Sequence, residues 1–139
     1  MSTTIIHQPT ESEFEQVKKY ARQFNLDDEN MGIKEFKVLL VDNKLAAFGR
    51  LKVHKDAIEL CTVGVVEEFR GKKLGEALVR DFITGAKQDI YLVTVIPAFF
   101  SKMGFKEVKE YPASIKEKSD RCGNKYHVDE SYVAMKHSF

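Results

Sequence analysis

Cysteine is scarce in this sequence: two residues in 139, Cys61 in an apolar stretch and Cys122 in a polar one. A lone pair does not make the disulfide framework of a small secreted domain, so a reducing, cytoplasmic setting is expected. Charge of one sign is missing as well. The 22 Lys and Arg are balanced by 21 Asp and Glu, which argues against a general nucleic-acid binder, since that role calls for a basic excess or stripe. No apolar run approaches the ~18 residues of a membrane span, and the stretch from Met1 to Glu15 has no basic start, so neither a membrane segment nor a signal peptide is expected. Internal repeats and low-complexity segments are also missing, and the polar stretch from Ser114 to Asn124 is the nearest thing to a mobile loop. What is there is ordinary for one soluble domain over residues 1–139, at 43% hydrophobic and 31% charged. Such a chain buries roughly two thirds of its unfolded surface, enough to fold without a disulfide or a structural metal.

The apolar periods sort into alternating elements. Thr3 to His7 reads as a strand, and Thr10 with Glu13 reads as a capping box opening a helix that carries Phe14, Val17, Ala21 and Phe24 on one face and ends near Asn25. Phe36 to Val41 and Leu45 to His54 pair as a hairpin around Asp42-Asn43, and another strand follows from Ala57 to about Val66. Arg70 to Gly85 is helical by period, with Leu74, Ala77, Leu78 and Phe82 on the apolar face and Glu76 four before Arg80. Ile90 to Val95 returns to strand, Pro97 to Met103 is a short helix stopped by Gly104, and Phe105 to Val108 and Ser131 to His137 are the last strands. The pattern is α/β, with a strand, helix, strand unit in the middle.

The informative segment runs from Val63, Gly64 and Val65 through Arg70, Gly71, Lys72, Lys73 and Leu74 to Gly75, a strand entering a basic glycine-bearing loop that opens a helix. Free N–H groups at a helix start, with the positive end of its dipole, bind phosphate, and glycines keep side chains out of the approach. A Walker loop is excluded because six residues, not four, separate Gly64 from Gly71-Lys72, and no G-x-G-x-x-G fingerprint is present. The segment resembles the motif of the GNAT superfamily of N-acetyltransferases, in which a strand leads into Arg or Gln, x, x, Gly, x, Gly or Ala around the pyrophosphate of acetyl-CoA. Arg70 and Gly75 match its ends, while Lys73 stands at the middle glycine. The run Phe99-Phe100-Ser101-Lys102-Met103-Gly104-Phe105 is similar to the family's second landmark, an aromatic pair followed by Gly-Phe. Within the superfamily the sequence most resembles the acetyltransferase domain of N-acetylglutamate synthases and related amino-acid N-acetyltransferases, on Glu59 to Val65, Arg70 to Leu78, and Leu92 to Val95 before Phe99. The resemblance implies an α/β (α+β) GNAT acyl-CoA N-acyltransferase fold, a mixed central sheet of about six to seven strands flanked by about four helices. It implies acetyl-CoA as co-substrate and one GNAT domain over the whole chain, with Val63, Gly64, Val65, Arg70, Gly71, Lys72, Lys73, Leu74, Gly75 and Phe100 binding the co-substrate.

Acetylating an amine requires removing a proton from a group of pKa near ~10, so a general base, direct or through water, is expected. Glu59 is the candidate: its position matches the family's catalytic glutamate, and strand alternation puts it on one face with Cys61, Val63 and Val65. The family's usual acid, a tyrosine, is replaced by Phe100, which cannot donate a proton. A thiol of pKa near ~8.5 is a fair leaving group even as the anion, and Tyr91 and Ser101 are weak substitutes. The resemblance further implies that a backbone amide near Val65 meets the developing oxyanion.

The remaining signals are weaker. Cys61 reads as a small buried hydrophobe, Cys122 with His127 and Asp129 makes a poor metal set, and His7, His54 and His137 look like ordinary strand residues; no metal is expected. Arg50, Lys52, Arg121 and Lys125 are candidates for a substrate carboxylate, with nothing to choose among them. The leading reading is an acetyl-CoA-dependent N-acetyltransferase acting on the primary amine of a small molecule, an amino acid among the candidates. Nucleic acid and membrane are excluded as partners, and homodimer formation is left open. Two rivals stay in view: a protein or peptide N-acetyltransferase, and a non-catalytic CoA-binding regulatory module.

Overall fold

A computed structural model describes residues 3–125 and 132–139, with the side chains of residues 121–125 outside the description. The elements in chain order are β1 (Thr4–His7), α1 (Glu11–Gln23), β2 (Phe36–Val41), β3 (Lys44–Val53), β4 (Ile58–Val65), α2 (Leu74–Thr84), β5 (Ile90–Thr94), α3 (Pro97–Ser101), β6 (Lys106–Glu107), α4 (Ala113–Lys125) and β7 (Val133–His137). The strands form a seven-stranded mixed sheet in the order β1-β2-β3-β4-β5-β7-β6. β4 and β5 are parallel, with Ile58 opposite Ile90 and Glu59 opposite Tyr91, and the β1–β2, β2–β3, β5–β7 and β6–β7 pairs are antiparallel. No helix among the described residues is long and apolar enough to cross a membrane.

Two compact units make up the described chain, and β4 contributes to both. The first takes in the described residues of Met1–Leu51 with Cys61–Phe82. Its first helix starts at a reciprocal cap: the Glu13 amide donates to Thr10 Oγ1 at 3.2 Å and the Thr10 amide to Glu13 Oε1 at 3.0 Å. That satisfies two of the donors a helix start leaves open. The periodic residues Val17 and Ala21 are fully buried, as are Val38, Leu39, Ala46, Ala47, Phe48, Leu78 and Val79. Asp42 and Asn43 take φ of +48° and +68°, the left-handed pair a two-residue hairpin of this twist demands.

The second unit takes in the described residues of Lys52–Leu60 with Ile83–Phe139, around Leu60, Ile90, Leu92, Phe100, Met103, Phe105, Ile115, Ala134 and Met135. Here the stretch expected to be a mobile loop is a helix, α4. Its apolar period is thin because one buried aliphatic residue, Ile115, and the buried stem of Lys118 make the inner face, while Lys116, Glu117 and Asp120 stay in solvent. Tertiary contact supplies what periodicity lacked. The start of α4 is held from the β3–β4 turn, where Asp56 Oδ2 accepts the Ser114 amide at 3.2 Å.

Candidate active site

In the first unit, β4 ends at Val65, a 3₁₀ turn occupies Glu67–Phe69, and α2 begins at Leu74. The helix therefore starts four residues later than the period from Arg70 suggested. Gly71 (φ +83°) and Lys73 (φ +61°) lie in the left-handed region and cannot continue a right-handed helix. Arg70, Gly71, Lys72 and Lys73 consequently form an exposed loop leading into the helix start. Nothing stands within 4 Å of the place where a Cβ would sit on Gly71, which leaves its backbone open to a ligand. The first helical bond runs from the Ala77 amide to the Lys73 carbonyl, so the amides of Leu74 and Gly75 precede the first carbonyl the helix can offer them. Lys73, at the middle glycine of the motif, adopts a conformation that glycine would take without strain.

Around this loop Arg70 is anchored: its Nε donates to the Val65 carbonyl at 3.0 Å and its guanidinium lies 4.9 Å from the centre of the Phe24 ring. Lys72 lies over the Phe69 ring at 5.7 Å. Gly64 is required by packing, since a Cβ there would come within 2.6 Å of Phe48 and 3.1 Å of Leu26. The Val66 amide is engaged, donating to the Ala46 carbonyl at 2.8 Å, and so does not serve as the amide expected near Val65. The alternation assumed along β4 is interrupted at Thr62, whose φ is +56°, unusual for a β-branched residue. Counting by twos from Glu59 therefore does not carry through to Val63 and Val65.

The cause of that interruption is Arg50. Its side chain is wholly buried and all five guanidinium N–H groups have acceptors: Nε donates to Thr62 Oγ1 (2.8 Å), Nη1 to Glu35 Oε1 (3.1 Å) and the Asn30 carbonyl (3.5 Å), and Nη2 to the carbonyls of Glu29 (3.1 Å) and Asp27 (3.3 Å). The Thr62 hydroxyl in turn donates to the Asp27 carbonyl at 2.8 Å. Burial alone would lower the guanidinium's pKa, but the negative fields of Cys61, Asp27 and Glu35 and the bond to Glu35 outweigh it and hold the group above its ordinary value. With every donor used, Arg50 has none left for a substrate carboxylate; it pins the segment from Asp27 to Glu35. Cys61, expected to be buried, is half-buried.

In the second unit Glu59 is wholly buried. Its Oε1 lies 2.8 Å from His54 Nε2. Its Oε2 takes no directed hydrogen bond among the described residues and meets Lys118 Nζ as an ion pair at 2.8 Å. One carboxylate oxygen thus faces a ring nitrogen and the other an ammonium, in a site closed to solvent. His54 had looked like an ordinary strand residue. It lies just past β3, and its amide bonds to the Ala57 carbonyl at 2.8 Å, which closes the turn tightly enough for the ring to face Glu59 across it. Phe100 is buried, edge-on to Phe99 (4.9 Å) and Phe105 (5.7 Å). Of the suggested acids, Tyr91 is half-buried and Ser101 exposed. Lys52 is half-buried, the side chains of Arg121 and Lys125 are not described, and His127 and Asp129 lie outside the described residues, so the Cys122 metal set stays without a structural counterpart.

A mixed sheet whose fourth strand runs into a basic, glycine-opened helix start is the arrangement that the resemblance of the sequence implied. The chain belongs to the GNAT family: the family model described as acetyltransferase (GNAT) domain matches residues 33–107, more than half of the sequence. Among solved structures it is similar to N-acetylglutamate synthase from Neisseria gonorrhoeae, crystallised with coenzyme A and N-acetyl-glutamate, at a TM-score of 0.78 and 17% identity. That match covers 98% of this chain and 35% of the synthase, so the chain spans about a third of that relative's length. It is also similar to Rv2747 from Mycobacterium tuberculosis, crystallised with CoA (TM-score 0.76, 19% identity, 97% of this chain and 99% of the other). A third likeness is to the ribosomal-protein-S18-alanine N-acetyltransferase from Escherichia coli (TM-score 0.66, 16% identity, 98% and 94%). No curated protein matches the sequence.

Proposed function

We propose that the chain acts as one domain that moves an acetyl group from acetyl-CoA to the primary amine of a small molecule, with amino acids the first acceptors to test. The observation that carries this is the loop from Arg70 to Gly75, with two left-handed residues before the start of an 11-residue helix. Its donor set fits a pyrophosphate: open amides at the helix start, an uncluttered Gly71, and the cations of Arg70, Lys72 and Lys73. Val63, Gly64, Val65, Leu74 and Gly75 supply the backbone beside it, and Phe100 packs apolar surface. When bound, acetyl-CoA supplies the activated acetyl group.

Glu59 is the carboxylate on which proton removal from the amine turns. It is buried with a ring nitrogen on one oxygen and an ammonium on the other, which fixes it where it can direct a proton transfer. Phe100 donates nothing, so sulfur departs as the thiolate, within reach for a thiol of pKa ~8.5. The N-acetylglutamate bound to the similar synthase supports an amino acid as acceptor class. Likeness to the S18-alanine enzyme supports the rival acceptor, a protein N-terminus, and Phe100 in the acid position supports the non-catalytic module. A cytoplasmic setting and the absence of a metal requirement belong to the same proposal.

Titration calorimetry with acetyl-CoA tests the first half, and no heat at millimolar ligand would overturn it. CoA release across a panel of free amino acids, polyamines and short peptides tests the second. Turnover on peptides alone would favour the protein acceptor, and tight CoA binding without turnover the regulatory module.

A further inference from the structure

Glu59 is an awkward base by itself. Almost none of it reaches solvent, and one oxygen faces an ammonium and the other a histidine ring, so an incoming amine has no open approach to it. His54 differs. Its side chain retains 18% exposure against 1% for Glu59, and a ring that donates from Nε2 to a carboxylate keeps its lone pair on Nδ1. Lys118, itself 6% exposed, comes from α4 and faces Glu59 from the side away from the histidine contact, on the other oxygen. A proton arriving on the ring meets the Glu59 carboxylate at 2.8 Å, with the Lys118 ammonium on that carboxylate's other oxygen. From the histidine's own turn Asp56 adds an attractive field.

We propose that His54 Nδ1 accepts the amine proton, with Glu59 fixing the ring's tautomer and orientation and Lys118 pairing with the other Glu59 oxygen. This rests on the acetyltransferase reading above and changes Glu59 from the base to a positioning residue. The N–C bond forms between the amine nitrogen and the acetyl carbonyl carbon, and the C–S bond breaks with its electron pair leaving on sulfur. The amine's proton lands on Nδ1 and passes to solvent.

The experiment uses the full chain and an acceptor amine found by the panel screen, with the pH dependence of kcat/KM measured for wild type, His54→Ala, His54→Gln and Glu59→Gln. For both histidine variants kcat falls by about 10²- to 10⁴-fold while the acetyl-CoA Kd stays within about twofold, and added imidazole restores part of the rate of His54→Ala. Glu59→Gln moves the acidic limb to lower pH, since the imidazolium loses its carboxylate, but does not abolish it. Either histidine variant retaining the wild-type kcat and pH profile overturns the proposal, as does a Glu59→Gln profile with no acidic limb, which would make Glu59 the base itself. Nitrogen NMR of His54 decides the dyad independently: a neutral ring protonated on Nδ1 overturns it, and one protonated on Nε2 supports it. If acetyl-CoA binds but no amine is acetylated, the acetyltransferase reading fails, and this NMR result still judges the dyad.

Discussion

Arg50→Ala is the sharpest probe of what holds the first unit's loops. The substitution leaves the buried Thr62 hydroxyl, the Asp27 carboxylate and the Glu35 carboxylate without their cation and takes a donor from the carbonyls of Asp27, Glu29 and Asn30, of which Asp27 keeps the Thr62 hydroxyl. Removing one partner of a buried ion pair costs about 3–5 kcal/mol, because the other charge stays buried. With unfolding entropy of roughly 2.1 cal/mol/K per residue, a chain of this length has about 0.3 kcal/mol/K, so Tm should fall by about 10–17 °C. Arg50→Lys keeps the charge but not the planar fork, and should lose about half as much. The sign of the pH dependence follows from the raised pKa: the arginine's contribution is complete at every pH below its ordinary titration range and is lost only as pH climbs through the higher folded value. The deficit of Arg50→Ala should therefore not vary between about pH 7 and pH 9 on the arginine's account. Urea unfolding of wild type and both variants, with hydrogen exchange over residues 27–35, measures this. A loss of less than about 1 kcal/mol would refute it, showing that desolvation of the charged groups cancels their attraction.

Three further outcomes follow from local geometry. Gly64→Ala drives a methyl against Phe48 and Leu26 at 2.6 Å and 3.1 Å and should cost about 1–3 kcal/mol in urea unfolding; a neutral result would mean that Phe48 swings aside freely. Lys73→Gly relieves a left-handed residue at about 1–2 kcal/mol against about 0.4–1 kcal/mol of added unfolded-chain entropy, so the variant should be slightly more stable than wild type, and a lower Tm would contradict the backbone assignment. Hydrogen bonds from the Ser114 side chain and amide hold the Asp56 carboxyl below the usual aspartate range. Its contribution is then present above the ordinary aspartate value and fades as pH falls through the lower folded one. An NMR titration of Asp56 checks this, and a midpoint at or above the ordinary value would remove the tie between the turn and α4.

Elements with strong local signals were legible one by one. The Thr10–Glu13 cap, the Asp42-Asn43 turn and the strand Phe36–Val41 rest on interactions within a few residues, and the structure places them where those signals point. The basic loop between strand and helix was legible too, because it depends on residue types in one contiguous run. Its conformation was not: that Lys73 takes a left-handed φ, and that α2 starts only at Leu74, is decided by how the loop joins strand to helix. Helix α4 was missed because a charged segment with one buried aliphatic side chain has almost no period to read until something packs on it.

The sequence by itself determined the family, the strand-to-helix cradle and the carboxylate at position 59, since each is a matter of residue identity at fixed spacing along the chain. Only the tertiary structure decided what the charged side chains do. Arg50, open at first to a substrate carboxylate, is saturated within the protein, and His54 is drawn to Glu59 across a turn with Lys118 arriving from a helix 59 residues further on. Long-range pairing of buried charges leaves no local trace, because the free energy of a buried ion depends on which groups surround it in space and not on its neighbours in the chain.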